Sequence, residues 1–320
     1  MVGAFIRLFF ILILLLSVMA AIGAAFFAEP DVRAVELEAQ YATTPSQFIT
    51  LPSGARVHYR DQGQRGGPAL VLLHGTAASL HTWEPWVAQI GGAFHVISVD
   101  LPAHGLTGAT PGDDYSQDGM VKFVDEFTTA IGVQRFALAG HSMGGAVAAR
   151  FALVHPERLT HLILIDAGGI ASKSPVDRGL ALTLARIPLI RNLMLYVTPR
   201  HLHDEGLRVA IYDDALVTPA MVDRYWKLTR REGNRAALLK FFQAPSDTYV
   251  QDNVAKIATP TLILWGTNDT LTPRDVGAAY NAAIKGSKLV VYNNVGHLPM
   301  EEVPEPSARA VRDFLLPQPN

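Results

Sequence analysis

Six short, largely apolar runs, at 69–73, 94–99, 136–139, 162–165, 261–265 and 288–292, recur along this chain with helical stretches between most of them. A strand with one wet face alternates polar and apolar residues, whereas a strand buried on both faces loses that alternation. The pattern therefore predicts a doubly wound, mostly parallel α/β sheet with right-handed crossovers, whose ligand site lies at the carboxyl ends of the strands. Two β-rich runs ahead of it, at 48–51 and 56–60 around Pro52, Ser53 and Gly54, read as a hairpin. The stretch 167–258 is too long for one crossover, and its helical, leucine-rich content predicts an inserted cap. The expected organisation is a core of 47–166 and 259–316, a cap of 167–258, a polar spacer at 29–46 and a separate N-terminal segment, 1–28.

With 320 residues, 49% of them apolar, the chain can bury a large core. A net charge of −2 without a long basic run gives no footprint for nucleic acid. The absence of cysteine excludes disulfides, a thiol nucleophile and thiolate zinc sites. No spacing of His, Asp and Glu forms a metal constellation, no phosphate-loop or dinucleotide fingerprint is present, and no cofactor is expected.

From Leu8 to Ala28 the sequence LFFILILLLSVMAAIGAAFFA carries no charge. As a helix it would be roughly 30 Å long, the thickness of a hydrocarbon core. It exceeds a usual secretory apolar region and lacks the amphipathic face of a buried core helix, so an uncleaved signal anchor is expected, with a cleaved signal peptide as the rival. Arg7 precedes the stretch, and Glu29, Asp31, Glu36 and Glu38 follow it. That bias predicts a membrane-anchored protein with its catalytic domain outside the cytoplasm, or a secreted or periplasmic one after cleavage.

Gly140-His141-Ser142-Met143-Gly144 follows the fourth-from-last apolar run and precedes the small-residue helix Gly145-Ala146-Val147-Ala148-Ala149. A strand that turns at once into a helix demands a very sharp bend, and Gly140 and Gly144 stand where side chains would clash. The serine between them is strained, with its hydroxyl exposed at a helix N-terminus whose N–H groups favour a developing anion. Ser142 is the expected nucleophile.

Four further segments accompany this turn: HGTAAS at 74–79, DLPAHG at 100–105, LWGTND at 264–269 and VGHLPMEEVPE at 295–305. Together with GHSMGG at 140–145 they resemble the α/β-hydrolase superfamily over residues 47–315, in particular its capped serine esterases, lactonases, C–C bond hydrolases and cofactor-free haloperoxidases. Branches with an aspartate at the elbow, the haloalkane dehalogenases and epoxide hydrolases, do not fit Ser142. The order Ser142, Asp269, His297 is the one this fold uses. His297, after the last strand, is the expected base, and Asp269, ending a strand and turn, the expected acid. Asp166 also ends a strand and is the rival acid. The resemblance implies an oxyanion hole built from the backbone N–H groups of Thr76 and Met143, with His74 bracing the loop. His104, His155 and His161 read as structural or surface residues, and Asp100 as a turn residue.

The chemistry expected is acyl transfer from a small apolar ester or lactone to water, through an acyl-enzyme. C–C bond hydrolysis and perhydrolase chemistry use the same triad, and a membrane-tethered binding protein without turnover is the reading from another class. Leu180, Leu182, Leu184, Ile187, Leu189, Ile190, Leu193, Met194 and Leu195, between Arg178 and Arg200 and broken at Pro188, carry more apolar surface than one amphipathic helix needs. That surface either packs the cap or lines an apolar entrance near a bilayer.

Overall fold

The sheet has eight strands, β1 (Ser46–Thr50), β2 (Arg56–Gly63), β3 (Ala69–Leu73), β4 (His95–Val99), β5 (Phe136–His141), β6 (Leu159–Ile165), β7 (Thr261–Gly266) and β8 (Lys288–Tyr292). Their order is β1-β2-β4-β3-β5-β6-β7-β8. The hairpin β1/β2 and the pair β2/β4 are antiparallel, and the remaining pairs are parallel, as the apolar runs predict. The computed structural model describes residues 2–176, 187, 192–193, 195–245 and 247–316, with backbone alone at some positions of the first helix.

Successive side chains of the central strands feed two separate cores, which is why these strands show no polar face. Val71, Leu73, Leu138, Leu164 and Ile263 pack with helices α4 (Gln117–Ala130), α5 (Met143–Val154) and α10 (Arg274–Ala283). Leu70, Leu72, Ala139, Ile163 and Leu264 pack on the other face with α3 (Glu84–Ile90) and α11 (Pro304–Leu315).

Between β6 and β7 the described helices are α6 (Arg200–Ala210), α7 (Pro219–Thr229), α8 (Asn234–Gln243) and α9 (Tyr249–Asn253), a helical insertion where a cap is expected. Residues 177–186, 188–191 and 194 lie outside the described residues, and with them Met194 and most of the apolar run; Ile187 and Leu193 are exposed.

Helix α1 (Val2–Phe27) covers the N-terminal apolar stretch. Phe5, Phe9, Phe10, Leu14 and Met19 are exposed on it. Among the described residues no helix is long and apolar enough to cross a membrane, so the spanning role expected of 8–28 finds no support there.

Residues 29–46, expected as a polar spacer, pack against the rest of the chain. Helix α2 (Ala34–Tyr41) buries Leu37 against Leu106 and Leu228. Val32 bonds through its backbone to Arg230 and Glu232. The buried Arg235 guanidinium reaches the Asp31 carboxylate at 2.6 Å and the Glu29 carbonyl at 2.9 Å. The partners come from about 200 residues downstream, which is why a local reading of this polar stretch misses the attachment.

Candidate active site

Ser142 stands between β5 and α5 with φ 53° and ψ −116°, a backbone state that costs an L-residue strain. The neighbouring glycines make the turn possible: a Cβ on Gly140 would lie 2.2 Å from the Gly144 carbonyl oxygen, and one on Gly144 would lie 2.5 Å from the carbonyl oxygens of Leu73 and His74. The strain is held by hydrogen bonds to the strand edge, with Ser142 N donating to Ile165 O and Gly168 N donating to Ser142 O. The serine is half-buried at the carboxyl ends of the strands, where the topology places a ligand site.

His297 and Asp269, 28 positions apart, are brought to 2.7 Å between Nδ1 and Oδ2. The remaining capacity of Asp269 is filled locally: Oδ1 accepts from the N–H groups of Leu271 and Thr272, and the Thr272 hydroxyl donates to Oδ2 at 2.5 Å. Burial alone would raise this carboxyl, but the His297 imidazole and the Thr272 donors outweigh it and hold its pKa below the ordinary value. Asp166 is also present, fully buried, with Oδ1 accepting from Gly266 N at 3.0 Å. Burial, then the charge on Asp269, push its carboxyl well above the ordinary value. One oxygen from each carboxyl and a ring nitrogen of His297 lie within 4.8 Å of one another, a juxtaposition the sequence reading did not anticipate.

Of the two expected oxyanion donors, Met143 follows the serine at the start of α5 and Thr76 lies in the loop after β3. The loop passes so close that a Cβ on Gly75 would stand 3.0 Å from Ser142 Cβ. His74 braces it, as expected: Nδ1 pairs with the Gly75 carbonyl at 2.8 Å, and Nε2 accepts from Leu101 N at 3.0 Å. Asp100 is more than the turn residue expected. Its buried carboxylate accepts from His58 Nδ1 and from the N–H groups of Leu80 and Leu106, fastening β2, the helical turn at Leu80 and the loop at Leu106. His104 is a buried structural residue, its pKa lowered to about 3 by burial.

Three positioning side chains escape the sequence reading. His141 is buried beside the serine, its ring 4.6 Å from that of His297, and its Nε2 donates to the His297 carbonyl at 2.7 Å. Burial and the neighbouring His297 lower its pKa well below the usual value, so it serves as a neutral donor. Thr272 bridges Asp269 and the Asp166 carbonyl. Glu302 accepts from the N–H groups of Gly296, Leu298 and Tyr212, tying the histidine loop to the insertion. Only the nearness of these residues to the motifs could have signalled them. A cavity of about 230 Å³, lined among others by Tyr115, Arg150, Gly169 and Phe241, opens beside α5, one turn beyond the serine at Ala146.

A strained serine at a strand-to-helix turn, with a paired histidine and aspartate from later loops, is the arrangement of one large enzyme family. The chain belongs to the α/β-hydrolase family, whose model matches residues 68–304, and it is a hydrolase. It is 30% identical over 266 residues to monoacylglycerol lipase abhd6-A of Xenopus laevis, covering 80% of this chain and 78% of that one. It is 29% identical over 287 residues to the 2-hydroxy-6-oxononadienedioate/2-hydroxy-6-oxononatrienedioate hydrolase of Comamonas testosteroni, covering 85% and 97% respectively. Among solved structures it is similar to a membrane phospholipase A, a bacterial virulence factor, at 26% identity and a TM-score of 0.71, with 96% of this chain and 97% of that one covered.

Proposed function

We propose that this chain is a serine hydrolase of lipophilic carboxylic esters, working through Ser142, His297 and Asp269. The observation that carries the reading is the 2.7 Å bond from His297 Nδ1–H to Asp269, with the His297 ring 4.6 Å from that of His141, the residue preceding the strained serine. With Nδ1 committed as a donor, Nε2 is the nitrogen that takes the Ser142 proton, and Asp269 stabilises the imidazolium that forms. The serine oxygen then adds to the ester carbonyl, and the N–H groups of Thr76 and Met143 receive the developing oxyanion. His297 returns the proton to the departing alcohol, water enters, and the same steps in reverse release the acid.

Two observations favour a lipophilic substrate met at a membrane: the row of exposed apolar side chains on α1, and the lipase and membrane phospholipase among the similar proteins. In this reading α1 holds the enzyme to the bilayer, with the catalytic domain outside the cytoplasm. A second reading, C–C bond hydrolysis with the same triad, is favoured by the nearly full-length similarity to the Comamonas hydrolase.

Fluorophosphonate labelling followed by peptide mass spectrometry tests the nucleophile. The adduct is expected on Ser142 and lost in Ser142→Ala, and an adduct elsewhere, or none on the folded wild type, overturns the reading. A panel of short and long acyl esters beside a 2-hydroxy-6-oxo dienoate then separates the two chemistries.

A further inference from the structure

The Asp166 carboxyl lies beside the His297–Asp269 pair, and the acyl-transfer steps do not use it. It is fully buried, and while Oδ1 accepts from Gly266 N, Oδ2 has no hydrogen-bond donor facing it among the described residues. A buried ionised oxygen without a donor would be costly, whereas a buried O–H with an acceptor nearby is not. The acceptor is at hand, because the Asp269 carboxylate lies within 4.8 Å with His297 completing the cluster. The backbone is held as well: Asp166 sits at φ 41°, its N–H donates to Leu264 O, and its carbonyl oxygen lies 2.9 Å from the Thr272 hydroxyl, whose single proton goes to the nearer Asp269 carboxylate. Such a strained position persists only where its surroundings hold it.

We propose that Asp166 is a neutral carboxylic acid at working pH, and that its Oδ2–H donates to the Asp269 carboxylate, making it a positioning residue for the acid of the triad. The charged and titratable groups facing it are Asp269, His297, Glu302 and Tyr292. Burial and the Asp269 charge both favour the protonated form, and the pKa raised above the ordinary carboxyl value agrees with this. Two like carboxyls this close hold one proton between them, and it stays on the one without donors. Asp269 has four donors of its own, from Leu271, Thr272 twice and His297, whereas Asp166 has only Gly266 N. The second carboxyl thus orients the first one's lone pairs toward Nδ1 of His297 and does not compete with it for the imidazole.

This inference rests on the triad reading for its effect on catalysis, but its protonation state is read independently. Infrared difference spectra between the wild type and Asp166→Asn, at neutral pH, are expected to lose the C=O stretch of a protonated carboxyl. Loss of carboxylate bands instead overturns the proposal, whatever the enzyme does to esters. Asn keeps both groups, an oxygen for Gly266 N–H and an N–H for Asp269, so its kcat is expected within about threefold of wild type. Asp166→Ala removes the donor and is expected to lower kcat about tenfold with KM little changed, the scale of one hydrogen bond to a charged group. If folded Asp166→Asn falls as far as Asp269→Asn, Asp166 acts as an ionised acid and the proposal is wrong. If Ser142→Ala remains active while the infrared result holds, the triad reading fails and the proton assignment stands.

Discussion

Replacing Asp269 by asparagine leaves the shape of the site and removes the charge, and the hydrogen bonds around the carboxylate dictate the consequence. Oδ1 accepts from Leu271 N at 2.8 Å and Thr272 N at 3.0 Å; Oδ2 accepts from the Thr272 hydroxyl at 2.5 Å and from His297 Nδ1 at 2.7 Å. An amide cannot serve all four donors. If its NH2 takes the Oδ1 place, it confronts two backbone N–H groups, each left unsatisfied at about 1–3 kcal/mol. If it takes the Oδ2 place, it confronts Nδ1–H, and the cheaper escape is for the imidazole to move its proton to Nε2. That tautomer presents an N–H to Ser142 and cannot remove the serine proton. The expected loss is about 10³–10⁴ in kcat, equivalent to about 4–5.5 kcal/mol of transition-state stabilisation. Initial rates on a soluble p-nitrophenyl ester, with circular dichroism melts to confirm folding, measure it. A folded variant that keeps more than about a tenth of the wild-type kcat refutes the tautomer argument.

Two further outcomes concern stability and attachment. A chain beginning at Glu29 keeps the Arg235 contacts to Asp31 and Glu29, and is expected to be soluble and active; removing 2–41 also strips Leu37 from its buried site and is expected to lower Tm by several degrees, so equal melting of the two truncations would deny that α2 is part of the fold. Asp100→Asn opposes an amide to three buried donors and is expected to cost about 3 kcal/mol in denaturant unfolding at neutral pH. Burial would raise the Asp100 pKa, but His58 and the other donors outweigh it and hold the folded value below the unfolded one. Its contribution is therefore full above the unfolded value near 4 and declines as pH falls through the folded one, so the gap between wild type and variant should narrow only in acid.

Much of the fold was legible because its signals are local. A strand buried on both faces must be apolar throughout, and the runs at 69–73 and 288–292 coincide with β3 and β8. The elbow was legible too, since Gly140 and Gly144 are required by contacts within a few residues of Ser142 and from the adjacent strand. The order of Ser142, Asp269 and His297 in the chain was equally readable, but the pairing of the last two was not: Asp269 and His297 touch only because β7 and β8 are neighbours and both end at the same edge. The attachment of Glu29 to Arg235, the bond from His141 to the His297 loop and that from Leu80 to Asp100 join residues 206, 156 and 20 positions apart. Asp166 carries the same lesson in its chemistry. Sequence alone shows an aspartate at a strand end, where it could be an ionised acid or a turn residue. Only the folded chain decides, because burial and a second carboxylate beside it determine where the proton resides.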